Sequence, residues 1–208
     1  MNDVLKSKRS RGIFLSLGGI IVIAGIGAVA IKFKRSQPPG QPLSADERKV
    51  VDSSAAYMND HGLKHFATLA EQLENSGIWM RALPDDRYLR GAEQNGDTPY
   101  AYTLSSGKHP SGIVFAPRFF TESLSDASRA SLMIHEMGHY EAYVATGKSD
   151  EYDGYKTQYD ASTKLKLTET DGITYFMMLD GVEQYVVPRD ATYALKPNVK
   201  EYIEQNKQ

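Results

Sequence analysis

Three side chains near the middle of the chain have the types and the spacing that suit metal-dependent hydrolysis. His135 and His139 are four residues apart, and Glu136 follows the first histidine, in the stretch SLMIHEMGHYEAY (131–143). Residues four apart on a helix lie on one face, so two imidazoles in these positions can bind one metal ion. The carboxylate beside them can act as a general base toward water, which is the HExxH arrangement. The spacing therefore predicts a Zn²⁺ site with two histidine ligands and a catalytic glutamate.

A buried amphipathic helix that carries two histidines by chance is the alternative interpretation. The surrounding pattern is helical, with a serine (Ser123 or Ser125) able to cap its start and Gly147 able to end it. Gly138 lies inside this helix, where glycine costs about 1 kcal/mol relative to alanine. A purely structural helix has little reason to accept that cost, whereas a close backbone approach at a site would explain it. We therefore favour the metal-binding interpretation.

The segment IHEMGHY (134–140) resembles the active-site helix of the zincin metallopeptidases. The resemblance implies hydrolysis of peptide bonds, with Zn²⁺ as cofactor and a peptide or protein as substrate. It also implies that the apolar stretch GIVFAPRFF (112–120), just before the helix, is an edge strand. Residues 113–117 would then form the wall of the cleft and pair with an extended peptide as an added strand.

A third metal ligand has to come from outside the motif. Alanines at 142 and 145 occupy the glycine and third-histidine positions of the metzincin motif HExxHxxGxxH, so that version is absent. The chain has no cysteine, which excludes a thiolate ligand. A carboxylate is therefore expected.

The favoured third ligand is Glu169, in the stretch TETDGITYFMML (168–179), whose apolar spacing is typical of a helix. This stretch resembles the glutamate helix of gluzincins, with Glu169, Asp171 and Tyr175 matching. Ile173 departs from that pattern, since an Asp or Asn is expected there to support a histidine ligand. The resemblance implies a metal set of His135, His139 and Glu169.

Other carboxylates remain open as the third ligand. Asp150 lies in GKSDEYDGY (147–155), which faintly resembles the aspzincin pattern GTxDxxYG. Asp171 is a second alternative, and further carboxylates such as Glu151 and Asp160 are not excluded.

The first 35 residues predict a membrane anchor. Residues 13–31 contain no charge, and this length suffices for a helix to cross a bilayer of roughly 30 Å. Basic residues flank the segment on both sides, so the positive-inside rule only modestly favours a cytoplasmic N-terminus. Residues 28–30 (AVA) also fit a signal-peptide cleavage site, but the apolar run is long for one, so we favour an uncleaved anchor.

The remaining pattern predicts an α+β metallopeptidase domain. A linker rich in proline and glycine covers 36–44, and the domain follows over 45–208. Helices are expected to about residue 75, then short strands within 78–120, then helices again from Ser125. We therefore predict a zincin-like fold, with a small mixed sheet, an active-site helix and a helical C-terminal part, preceded by one transmembrane helix.

The net charge of residues 36–208 and the predicted membrane anchor limit the classes of function that we expect. Seven of the 24 basic residues and one of the 26 acidic residues lie in 1–35, so 36–208 hold 17 basic and 25 acidic side chains, a net charge of −8. Nucleic-acid binding is not expected for such a domain. We expect a single-pass protein of the cell membrane with an extracytoplasmic catalytic domain. A peptidoglycan peptidase of the cell wall and a non-catalytic binding module with the zincin fold are the alternatives.

Overall fold

The computed structural model describes residues 40–76, 80–85 and 99–206, all within one compact unit, Pro38–Gln208. Within these ranges no helix combines the length and the apolar character that a bilayer crossing needs. The predicted anchor (1–35) and the first part of the predicted linker lie outside the described residues.

Two helices follow the first short strand, as the sequence predicts for the region up to about residue 75. Helix α1 covers Ala45–Asp60 and α2 covers Lys64–Asn75. A capping box begins α1, because the Ser44 hydroxyl accepts from the backbone N–H of Glu47 while the Glu47 carboxylate accepts from that of Ser44. The break between the helices contains Gly62 at φ 74°, a backbone conformation that favours glycine.

Within the described ranges, four short strands form one mixed sheet in the order β1-β2-β4-β3. The strands are β1 (Gln41–Pro42), β2 (Met80–Ala82), β3 (Ala101–Ser106) and β4 (His109–Phe115). Strands β3 and β4 form an antiparallel hairpin, and β2 pairs with β4 in parallel. The small mixed sheet of the sequence prediction is therefore confirmed.

The predicted edge strand is corrected by this topology. Strand β4 lies inside the sheet, between β2 and β3, so residues 113–115 are paired on both sides. The chain then leaves the sheet, and helix α3 covers Pro117–Thr121 with Pro117 in its first turn, where proline is favoured. Among the described strands, β1 and β3 lie at the two edges of the sheet, and β3 directly precedes β4 in the chain.

Helices make up the rest of the described chain. They are α4 (Asp126–Thr146), α5 (Glu151–Leu165), α6 (Ile173–Gly181) and α7 (Pro197–Asn206), with short 3₁₀ turns at Glu169–Asp171 and Ala191–Tyr193 and a π-helical turn at Val182–Val186. Helix α4 is central, because it packs against α1, α5 and strands β3 and β4. The described part is thus an α+β arrangement of seven α-helices and one sheet, built around the helix that carries the two histidines.

Candidate metal centre

Helix α4 fixes the two histidines on one face. Its N-cap is Ser125, whose hydroxyl accepts from the backbone N–H of Ser128, and its C-cap is Gly147 at φ 71°, both as the sequence predicts. Met133, Ile134 and Met137 are fully buried on the face that packs on the core. His135 and His139 lie on another face, with side chains 13% and 11% exposed. Their Nε2 atoms are 3.1 Å apart.

The carboxylate that joins them is Glu151, the first residue of α5. Its Oε2 atom lies 3.4 Å from Nε2 of His135 and 3.8 Å from Nε2 of His139. These three side chains form the one group of potential metal ligands in the part of the chain that the structure describes. The sequence left Glu151 open among several carboxylates.

The donor set fits a zinc ion. Bonds of about 2.0–2.1 Å to nitrogen and oxygen in a tetrahedral site place the ligand atoms about 3.3 Å from one another. The three observed separations, 3.1, 3.4 and 3.8 Å, bracket that value. Two imidazoles and one carboxylate are also the ligands of many catalytic zinc sites, in which the fourth position stays open.

Each histidine ring is oriented by a hydrogen bond at Nδ1, the ring nitrogen that does not face the site. In His135, Nδ1–H donates to Oε1 of Gln158 at 3.2 Å, and the Gln158 amide donates to Ser131. In His139, Nδ1–H donates to the Ser149 hydroxyl at 2.9 Å, which itself donates to the Asp153 carboxylate. Protons on Nδ1 leave the Nε2 lone pairs free to bind a metal.

Two glycines allow α5 to approach α4 closely enough to form this site. A Cβ atom on Gly154 would lie 2.7 Å from Nε2 of both His135 and His139. A Cβ atom on Gly138 would lie 2.8 Å from the Thr157 hydroxyl. Gly138 thus packs directly against the backbone and side chains of α5. This contact explains why the interior of α4 contains a glycine despite its cost to helix stability.

Glu136 is buried, 6% exposed, and its carboxylate is bonded to the edge strand. The Thr103 hydroxyl on β3 lies 2.7 Å from Oε2 of Glu136 and 2.9 Å from its backbone oxygen. The sequence does not predict the contact between Thr103 and Glu136, because the two residues are 33 positions apart in the chain.

The pKa values of the two imidazoles are shifted in opposite directions, although the acidic side chains act to raise both. Burial lowers the pKa of His135, but the hydrogen bond to Glu151 and the charge of Glu136 outweigh it, so the pKa is raised overall. Burial and the neighbouring His135 lower the pKa of His139. The acidic side chains therefore favour positive charge at this position, as a cation site requires.

A cleft of about 290 Å³ opens over the site. Strand β3 forms one wall through Ala101, Tyr102 and Thr103, and Leu132 and Met177 add apolar surface. Tyr155 also lines the cleft, with its ring edge-on to the His135 ring at 4.5 Å between centroids. The cleft therefore runs along the edge strand and over the metal ligands.

The structure does not bring Glu169 to the histidines. Gly172, at φ 56°, separates α6 from the 3₁₀ turn that carries Glu169, so the stretch 168–179 is not one helix. Glu169 is exposed. Burial is the main reason why the pKa values of Tyr175 and of Tyr202 on α7 are raised, and the charge of Glu169 is the second reason. Among the described residues, the carboxylate that the structure groups with the two histidines is therefore Glu151 and not Glu169.

The other candidate carboxylates have structural partners elsewhere. Asp171 accepts from Ser125 at the start of α4, ten residues or about 15 Å along the helix axis from His135. Asp150 lies at the cleft, but it caps α5 and forms an ion pair with Arg189 at 2.9 Å. Exposed Asp160 pairs with Lys156 at 2.7 Å.

No protein-family model, curated protein or solved structure gives a significant match to the chain.

Proposed function

We propose that the chain is a zinc metallopeptidase in which His135, His139 and Glu151 hold the metal and Glu136 is the general base. The observation that carries the proposal is the convergence of one ligand atom from each of the three side chains within 4.8 Å. The Nδ1 hydrogen bonds that direct both Nε2 atoms toward the same point support it. The fit of the separations to tetrahedral coordination supports zinc in particular.

Bound zinc supplies Lewis-acid polarisation of a substrate carbonyl and makes water acidic near neutral pH. The side chain of Glu136 then takes the proton from the attacking water and passes it to the leaving amine nitrogen. Its burial beside the cleft keeps bulk water away from the carboxylate. The edge strand β3 is a suitable partner for an extended peptide, because the described strands pair with it on one side only.

A glutamate on a separate helix as third ligand is in keeping with a gluzincin-like peptidase. In such a zincin-like fold, β3 would be the edge strand beside the cleft. For residues 1–35 we retain the proposal of a membrane anchor, which would place the domain outside the cytoplasm. Peptide bonds of extracytoplasmic proteins are then the expected substrates.

The test compares Glu136→Gln with Glu141→Gln in the full chain, purified in detergent. Glu141 is a matched control on the same helix, where it pairs with His65 at the surface. We expect Glu136→Gln to retain one zinc ion and to lose hydrolysis of an unfolded protein, while Glu141→Gln keeps both. Hydrolysis by Glu136→Gln at the wild-type rate would contradict the assignment of the base. A wild-type chain that binds zinc but cleaves neither protein nor muropeptides would favour a binding module.

A further inference from the structure

The contact between Thr103 and Glu136 links the edge strand to the proposed base. Oγ1 of Thr103 lies 2.7 Å from one carboxylate oxygen and 2.9 Å from the backbone oxygen of the same residue. Both side chains are buried, Thr103 at 7% exposure and Glu136 at 6%. A buried carboxylate without a donor would be costly, so this hydroxyl stabilises Glu136 in its position.

The Thr103 hydroxyl has one proton and two acceptors within reach, which are the Oε2 atom and the backbone oxygen of Glu136. The contact therefore fixes both the side chain and the backbone of this residue relative to β3.

The location of Thr103 makes the contact specific to the cleft. It lies on β3, pairs with Ile113 of β4, and lines the cleft together with its neighbours on the strand. A second hydroxyl on the same strand, that of Ser105, also reaches α4, where it donates to the Tyr143 hydroxyl at 3.1 Å. Of these two hydroxyls, only that of Thr103 contacts the proposed base.

We propose that Thr103 is a positioning residue that holds the Glu136 carboxylate at a fixed place between the metal ligands and the edge strand. This inference rests on the proposed function. It assigns no contact with substrate to Thr103, whose effect passes through Glu136.

The test uses three variants of the full chain: Thr103→Val, Thr103→Ser and the matched control Ser105→Ala. Valine has the shape of threonine without the hydroxyl, and serine keeps the hydroxyl without the methyl group. The first readout is zinc stoichiometry, which we expect to be unchanged in all three. The second is the affinity for acetohydroxamate, a small zinc-binding compound whose acidic O–H needs a nearby carboxylate to accept its proton. Its dissociation constant is measured by calorimetry and needs no turnover.

We expect Thr103→Val to bind acetohydroxamate at least about tenfold more weakly than wild type, in the range seen when residues that orient a metal site are removed. We expect Thr103→Ser and Ser105→Ala to bind it as wild type does. If a substrate is cleaved, Thr103→Val should lower kcat with little change in KM, because Thr103 does not contact substrate.

Two outcomes would overturn the inference. Equal acetohydroxamate affinity in zinc-loaded wild type and Thr103→Val would refute the positioning role and leave the proposed function intact. A wild-type chain that binds no zinc would refute both. Zinc binding without any hydrolysis counts against the proposed function alone, and the hydroxamate comparison still decides the role of Thr103.

Discussion

Replacing Gly154 with alanine tests whether the close approach of α5 to α4 forms the metal site. The added methyl group would lie 2.7 Å from Nε2 of His135 and from Nε2 of His139. Cβ atoms essentially never approach another atom within 3.0 Å, and their ordinary contacts begin at 3.4 Å, so the imidazoles or the helix must move by about 0.3 to 0.7 Å. Metal–ligand distances tolerate only about 0.2 Å.

The expected effects follow from that displacement. Crowding in a packed interior costs typically about 1–3 kcal/mol, so the metal-free variant should be destabilised by that amount. Zinc affinity should fall by at least about 100-fold, since two of the three ligands move by more than the site tolerates.

The assay is zinc titration of metal-free protein with a competing chelator, together with urea unfolding of the same samples. Gly172→Ala is the matched control, because Gly172 has φ 56° and no atom within 4 Å of an added Cβ. Strain at that position should destabilise the control by about 1 kcal/mol or more without changing its zinc affinity. Wild-type zinc affinity in Gly154→Ala would refute the role that we assign to the close approach.

Three further results are expected from the same structure. Gln158→Leu removes the acceptor for Nδ1 of His135 and should lower zinc affinity by about 10- to 100-fold in the chelator assay, whereas an unchanged affinity would count against that contact. A strong chelator should lower the Tm of the wild type and leave that of Glu151→Ala nearly unchanged, because only the former holds zinc tightly; equal shifts would argue against Glu151. Burial, followed by a hydrogen bond with Asp52, raises the pKa of Glu74 above its ordinary 4.5. The folded state therefore binds this proton more tightly, and the stability it contributes is present below pH 4.5 and lost as the pH rises through the folded value. Urea unfolding of wild type and Glu74→Gln should show the wild type gaining relative stability from pH 7 to 4.5, and a constant difference would contradict this.

Local signals account for what the sequence predicts well. Ser125 begins helix α4 and Gly147 ends it through contacts with neighbours in sequence, and the structure has those boundaries. The pair His135 and His139 needs only the helical repeat to share a face. Hairpin strands β3 and β4 are also local, although Pro117 ends the second strand earlier than its apolar pattern indicates.

Long-range packing accounts for what the sequence does not predict. Glu151 becomes a candidate ligand because α5 folds back on α4, which depends on Gly138 in one helix and Gly154 in the other. Glu151 and Gly154 are three residues apart and therefore share one face of α5. This spacing is the sequence feature that indicates Glu151 as a ligand once the contact between the helices is known. Glu169 carries the closer motif resemblance, but its position depends on the turn at Gly172, which motif spacing does not reveal.

Strand order is a second property that strand sequences leave open. Both β3 and β4 alternate or run apolar in ways that suit an edge or an interior strand. The parallel pairing with β2 places β4 inside the sheet, and β3 is left to face the cleft. The contact from Thr103 to Glu136 exists only because of that order.

The measurement that tests the metal centre most directly is the zinc content of three full-length proteins: wild type, Glu151→Ala and Glu169→Ala. Each is loaded with zinc, dialysed against a weak chelator and analysed for metal and protein. We predict about one zinc ion per chain in wild type and in Glu169→Ala, and far less than one in Glu151→Ala, because Glu151, and not Glu169, lies with the two histidines. Full zinc content in Glu151→Ala together with its loss in Glu169→Ala would contradict the assignment.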